Sequence, residues 1–129
     1  MTRRATCCCG QCAIDVDGEP EINGVCHCRN CKQRTGSAFG WSTYFADSQI
    51  MSRTGDVAVY TIGGANPQHR WFCRNCGSTL FWKAARLHGR TGVAGGCFAD
   101  NSLGPPSVTV SNDGRCAWVG LPGDWRKSL

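Results

Sequence analysis

The chain has no apolar run approaching the roughly 18 residues that a membrane-spanning helix needs, so neither a spanning helix nor a membrane partner is expected. Blocks of like charge are also missing. The basic residues are scattered as Arg3 and Arg4, Arg29, Lys32 and Arg34, Arg70 and Arg74, Arg86 and Arg90, and Arg126 and Lys127. A solvated surface is the plain reading of that scatter, and a nucleic-acid partner is not expected despite the formal charge of +5. Charged residues make up only 18% and apolar residues 41%, which excludes a disordered tail and a coiled coil. The opening segment MTRRATCCCG has two arginines but no apolar stretch behind them, so an export signal is not expected and a cytoplasmic, reducing location is. There is no linker, low-complexity stretch or internal repeat, so residues 1–129 are expected to form a single metal-binding domain with one modest core.

Cysteine and glycine are what the chain has in quantity, at 11 and 17 of 129 residues. Abundant glycine argues for many turns and short strands. Cysteine at this density means either a disulfide scaffold or metal sites. Metal is favoured because the count is odd, because cytosolic thiols stay reduced, and because the cysteines are clustered too tightly to bridge one another. Seven thiolates on two Zn²⁺ ions would bring the formal charge down to about +2.

Turn signals divide the chain into short pieces. Strands are expected at 12–16, 41–45, 57–62, 69–72, 79–83, 93–98 and 107–110, with helical turns at 30–35 and 83–88. Segment 57–62, VAVYTI, reads as the best strand, and 69–72 with 79–83 reads as a hairpin tipped by CRNCGS. The fold class is therefore mainly β. A core built from strands this short is thin, and metal staples are the expected remedy.

Three cysteine clusters carry the chemistry: Cys7, Cys8, Cys9 and Cys12; Cys26, Cys28 and Cys31; Cys73 and Cys76. A Cys-x-x-Cys turn followed by glycine aims two sulfurs at one ion, as in Cys73-Arg74-Asn75-Cys76-Gly77. Spacing leaves two pairings open. In one, Cys28 and Cys31 join Cys73 and Cys76 as a single zinc ribbon across 41 intervening residues. In the other, Cys7, Cys9, Cys73 and Cys76 close one site, while Cys26, Cys28 and Cys31 hold a second ion with a vacant position. A vacancy is what distinguishes a catalytic zinc from a structural one.

The order C-x-C-G, then C-H-C-x-x-C-x-x-x-T-G-S-A-F, then F-C-x-x-C-G-S resembles the glutathione-dependent formaldehyde-activating enzyme family, which includes the centromere protein V domain. The matching segments here are 7–10, 26–39 and 72–78, with further likeness at 96–100 and 108–118. This chain looks shorter than the formaldehyde enzyme and carries Cys8 and Cys12 as additional thiols. The resemblance implies a β-tent fold of small antiparallel sheets stapled by zinc. It favours the two-site pairing, with Cys7, Cys9, Cys73 and Cys76 structural and Cys26, Cys28 and Cys31 at the open, catalytic site. It implies a carbon–sulfur lyase whose partners are a small thiol, glutathione or a relative, and a small aldehyde.

Other residues have plainer expectations. Cys12 is the candidate to close the second site if that site is structural. His27 should point away from the metal, and His69 and His88 should lie at the surface. Cys97 and Cys116 read as small buried hydrophobes, and Cys8 as a spectator. Trp41, Trp71, Phe72, Phe81 and Trp82 read as packing residues. Thr35-Gly36-Ser37 is either a tight turn or a set of N–H groups for a carboxylate. Arg29, Lys32 and Arg34 would attract an anionic thiol. Asp100 is a turn residue or a general base. Two rival functions remain: a non-catalytic zinc-binding module for a protein or nucleic acid, and a redox-sensing or metal-buffering protein suggested by Cys7, Cys8, Cys9 and Cys12.

Overall fold

The computed structural model describes residues 1–125; Arg126 and Lys127, counted above among the scattered basic residues, lie outside the described residues. Among the described residues ten strands form, in order β1 (Thr2–Thr6), β2 (Ala13–Asp17), β3 (Ile22–Cys26), β4 (Gly40–Ala46), β5 (Ile50–Thr54), β6 (Val57–Ile62), β7 (Gln68–Cys73), β8 (Thr79–Ala84), β9 (Arg90–Ala94) and β10 (Val108–Ser111). One helix, α1 (Arg29–Thr35), follows β3. Strand accounts for 43% of the structure and helix for 13%, so the mainly β expectation holds.

The strands make a three-stranded sheet, β1-β2-β5, and a seven-stranded sheet, β10-β3-β4-β9-β8-β7-β6. All pairings are antiparallel except β10 with β3, which makes the larger sheet mixed. The main core lies between the two sheets. Ala5, Ile14 and Val16 of the small sheet are buried with Phe45, Leu80, Phe81 and Val93 of the large one. A smaller cluster on the other face of the large sheet joins Ile22, Tyr44, Trp82 and Val108.

Several local expectations shift. Segment 93–98 does not stay extended: β9 ends at Ala94, and Gly95–Cys97 turns as a 3-10 helix. Segment 83–88 divides between the end of β8 and a 3-10 turn at Ala85–Leu87. Segment 57–62 does form a strand, but as the outer edge of the large sheet, with Val59 and Tyr60 exposed. Its apolar composition reflects β propensity more than burial, with Val57 alone of the strand packed on the main core.

The register of the large sheet sets out one lateral row. Ile22 faces Tyr44, Tyr44 faces Gly92, Gly92 faces Trp82, Trp82 faces Arg70 and Arg70 faces Tyr60. Directly opposed residues share a face, so this row runs from β3 to β6 on the side away from the main core. Four residues along β3 from Ile22, on the same face, is Cys26, opposite Gly40. Gly92 is required by its neighbour: a Cβ there would lie 2.1 Å from Trp82 Nε1. The indole covers the glycine, and its Nε1 donates to Tyr44 Oη at 3.1 Å. Gly92→Ala should therefore displace Trp82 and lose that bond. We expect about 3 kcal/mol of destabilisation from overpacking and the lost hydrogen bond, read as a fall of roughly 10 °C in Tm.

Candidate functional site

Cys7, Cys9, Cys73 and Cys76 come together, with their sulfurs within 4.8 Å of one another. Cys7 opens the turn after β1, and Cys73 ends β7. Gly77 closes the second turn: its N–H donates to Cys73 O at 2.9 Å, and its φ of 80° is one that glycine adopts without a side-chain penalty. Gly10 does the same for the first turn, with N–H to Cys7 O at 3.0 Å. Ser78 ties the turns together, accepting from Cys8 N at 3.1 Å and lying 3.3 Å from Cys76 Sγ. The sulfur of Cys8 takes no part in the cluster.

The sulfur spacing fits a tetrahedral thiophilic ion. Zn–S near 2.3 Å in a tetrahedron implies sulfurs about 3.8 Å apart. Cys7 and Cys9 sulfurs are 3.6 Å apart, and those of Cys9 and Cys73 are 3.7 Å apart. Backbone donors also point at the sulfurs, Cys12 N at Cys7 (3.2 Å) and Asn75 N at Cys73 (3.3 Å), a pattern that stabilises thiolates. Cys7 and Cys73 are buried, while Cys9 and Cys76 are at the surface.

Cys26, Cys28 and Cys31 form the second group, again with sulfurs within 4.8 Å. Cys26 ends β3 and is buried; Cys28 caps α1, and its sulfur accepts from Cys31 N at 3.4 Å. One helical turn then returns Cys31 to the side of Cys28. The pKa of Cys28 is pulled far down by hydrogen bonds from Cys26 and then Cys31, and that of Cys26 is pushed up by the same contacts. This group has three sulfurs where the first has four.

The single-ribbon pairing is not what the fold brings together: Cys28 and Cys31 sit with Cys26, and Cys73 and Cys76 sit with Cys7 and Cys9. Nor is Cys12 placed to close the three-sulfur group. It is buried beside the other cluster, where its thiol donates to Asp56 O at 3.4 Å and burial raises its pKa to about 12. All 11 cysteines are free of disulfides.

His27 turns away from the sulfurs, fully buried against Phe39 with ring centroids 5.5 Å apart. His69 and His88 are at the surface. Cys97 and Cys116 are only half-buried, so neither is the fully buried hydrophobe expected; Cys97 packs on the main core, and burial raises its pKa to about 11. Trp82 and Phe81 are buried, and Trp71 stacks on Phe81 at 5.1 Å. The N–H groups of Gly36 and Ser37 are used within the turn, both donating to Lys32 O, so the carboxylate role for Thr35-Gly36-Ser37 gives way to the turn role. Asp100 is likewise a turn residue: it is exposed and accepts from Ser102 N at 3.0 Å.

The basic residues near the three-sulfur group divide. Arg29 is exposed, and Lys32 Nζ donates to Gly114 O at 2.7 Å. Arg34 instead folds over the Trp82 ring, with Cζ 4.4 Å from its centroid. Sequence reasoning placed Arg70 among solvated surface charges; it is 8% exposed, on the same face as Cys26. Arg34 and Arg70 line a cavity of about 360 Å³ between α1 and the β6–β8 strands.

A search among curated proteins finds no match. A crystal structure of a Rhodobacter sphaeroides protein, solved as a structural genomics target, is similar in fold, with a TM-score of 0.54 at 24% identity over 73% of this chain and 84% of that one. The family description "Glutathione-dependent formaldehyde-activating enzyme" matches residues 2–112, which takes in all three cysteine clusters. Among the described residues no helix is long and apolar enough to cross a membrane. By that match over most of its length, the chain belongs to the glutathione-dependent formaldehyde-activating enzyme family.

Proposed function

We propose that the protein binds two zinc ions and joins a glutathione-like thiol to a small aldehyde, or runs the reverse carbon–sulfur cleavage. The observation that carries this reading is the inequality of the clusters, four sulfurs in one and three in the other, with the cavity lined by Asn30, Gln33 and Arg34 of α1 beside the three. Cys7, Cys9, Cys73 and Cys76 fill a tetrahedral ion and act structurally. Cys26, Cys28 and Cys31 leave one position for an incoming thiol. A zinc ion there supplies the means to deprotonate that thiol. In the bond-forming direction, sulfur bonds to the carbonyl carbon, the carbon–oxygen double bond becomes single, and a proton ends on that oxygen, giving a hemithioacetal.

Calorimetry tests the reading. Glutathione titrated into protein loaded with two zinc ions, in two buffers of different ionisation enthalpy, should release about one proton per thiol bound. No binding at millimolar glutathione would remove that thiol as the substrate. Binding with no acceleration of hemithioacetal formation from formaldehyde would favour the non-catalytic zinc module.

A further inference from the structure

Buried charges are normally paired, because an isolated one loses its hydration. Arg3 obeys this rule: it is 5% exposed and donates to Ser102 O, Gly18 O and Glu19. Arg70 does not. It is 8% exposed, yet among the described residues its side chain has neither a carboxylate partner nor a hydrogen bond. Arg34 likewise lacks a carboxylate, and its Nη2 is buried with no hydrogen-bond partner. Both arginines line the same cavity. Burial and then Arg34 push the pKa of Arg70 below its usual value, while the sulfurs of Cys31 and Cys28 act the other way.

The fold holds this arrangement in place. Arg70 stands in the lateral row beside Trp82, and Arg34 lies on the Trp82 ring from above. Space for Arg34 depends on Gly40, where a Cβ would lie 2.6 Å from Arg34 Nη2. The bulge between Trp71 and Phe72 sets Thr79 opposite Phe72 and turns it into the cavity. Asn30, Gln33 and Tyr60 add amide and hydroxyl groups, and Ile62 and Phe72 complete the lining with apolar surface. Two guanidinium forks and four neutral hydrogen-bonding side chains around about 360 Å³ suit an oxyanion with several acceptor oxygens.

We propose that this cavity is an oxyanion subsite, in which Arg34 and Arg70 receive a carboxylate or phosphate carried by the ligand whose thiol is taken up at Cys26, Cys28 and Cys31. It rests on the thiol-capture reading only for the other end of that ligand. The rival role for Arg70 is simple charge balance for the three thiolates. That role predicts an effect on metal retention and none on free anions.

The test uses zinc-loaded protein and four probes. Malonate and inorganic phosphate are anions without a thiol, 2-mercaptoethanol is a thiol without an anion, and glutathione carries both. Malonate or phosphate should bind in the millimolar range, and the tighter of the two identifies the oxyanion. Arg70→Gln should weaken that anion and glutathione at least tenfold, leave 2-mercaptoethanol within twofold, and keep both zinc equivalents. Arg70→Lys should recover part of the affinity, because it retains charge without the fork. Arg34→Gln, on the opposite wall, gives the same reading if Arg70→Gln does not fold. Wild-type protein that takes up neither anion overturns the subsite, as does glutathione binding no tighter than 2-mercaptoethanol. Loss of zinc with unchanged anion binding in Arg70→Gln assigns charge balance and also overturns it. Anion uptake with no uptake of either thiol leaves the subsite standing and defeats the thiol-capture reading.

Discussion

Cys73→Ser should yield protein that does not fold. Cys73 is 1% exposed at the end of β7, and its sulfur lies 3.7 Å from that of Cys9 in the turn after β1. The cluster therefore fastens the small sheet to the large one over the core they share. A structural zinc contributes an apparent 10–16 kcal/mol, roughly, to folding. That is as large as the whole stability of a typical domain, about 5–15 kcal/mol. The loss of one of four thiolates should expose the core and leave a buried, unpaired serine hydroxyl among the remaining sulfurs. Soluble yield, zinc content and thermal melting read the outcome together. A Cys73→Ser protein with unchanged melting temperature and full metal content would overturn the structural role of this cluster.

Cys28→Ser should do the opposite, sparing the fold and abolishing thiol uptake. Cys28 is the N-cap of α1, where its sulfur accepts from Cys31 N at 3.4 Å. Serine is a preferred residue at that position and can accept the same bond, so α1 should persist and stability should change by about 1 kcal/mol or less. The three-sulfur group, however, loses a soft ligand and should release its metal. Metal analysis should fall from two equivalents to one, with glutathione affinity reduced more than a hundredfold. Two equivalents of zinc and wild-type thiol binding in Cys28→Ser would remove Cys28 from the site. The contrast between the two variants separates a closed, stabilising site from an open, reactive one.

Features fixed by neighbours along the chain could be read in advance. The turns at Cys73–Cys76 and Cys28–Cys31 follow from three-residue spacing, and the glycine after Cys76 supplies the left-handed φ that its turn needs. Segment 57–62 forms its strand, and 30–35 its helical turn, because local propensity and turn signals agree there. β3 escaped notice for a long-range reason. Its sequence INGVC carries Gly24, poor in strand propensity, because a Cβ there would lie 2.7 Å from Val108 O on the parallel neighbour β10. β1 and β5 were missed as well; both are edges of the small sheet and carry exposed polar residues.

The sequence by itself determined the mainly β class, the cysteine turns and, through their order, the likeness to one enzyme family. Tertiary structure alone decided which turns meet. Spacing along the chain carries no distance across 41 intervening residues, whereas the fold brings Cys73 to Cys9 and leaves Cys28 and Cys31 with Cys26. It also decided the fate of Arg70. Side chains alternate with a period of two, so the register of five paired strands, β7, β8, β9, β4 and β3, puts Arg70 on the same face as Trp82 and Cys26. A shift of one residue would have exchanged the faces of Arg70 and Trp71, putting the arginine on the main-core side where Trp71 now stacks on Phe81.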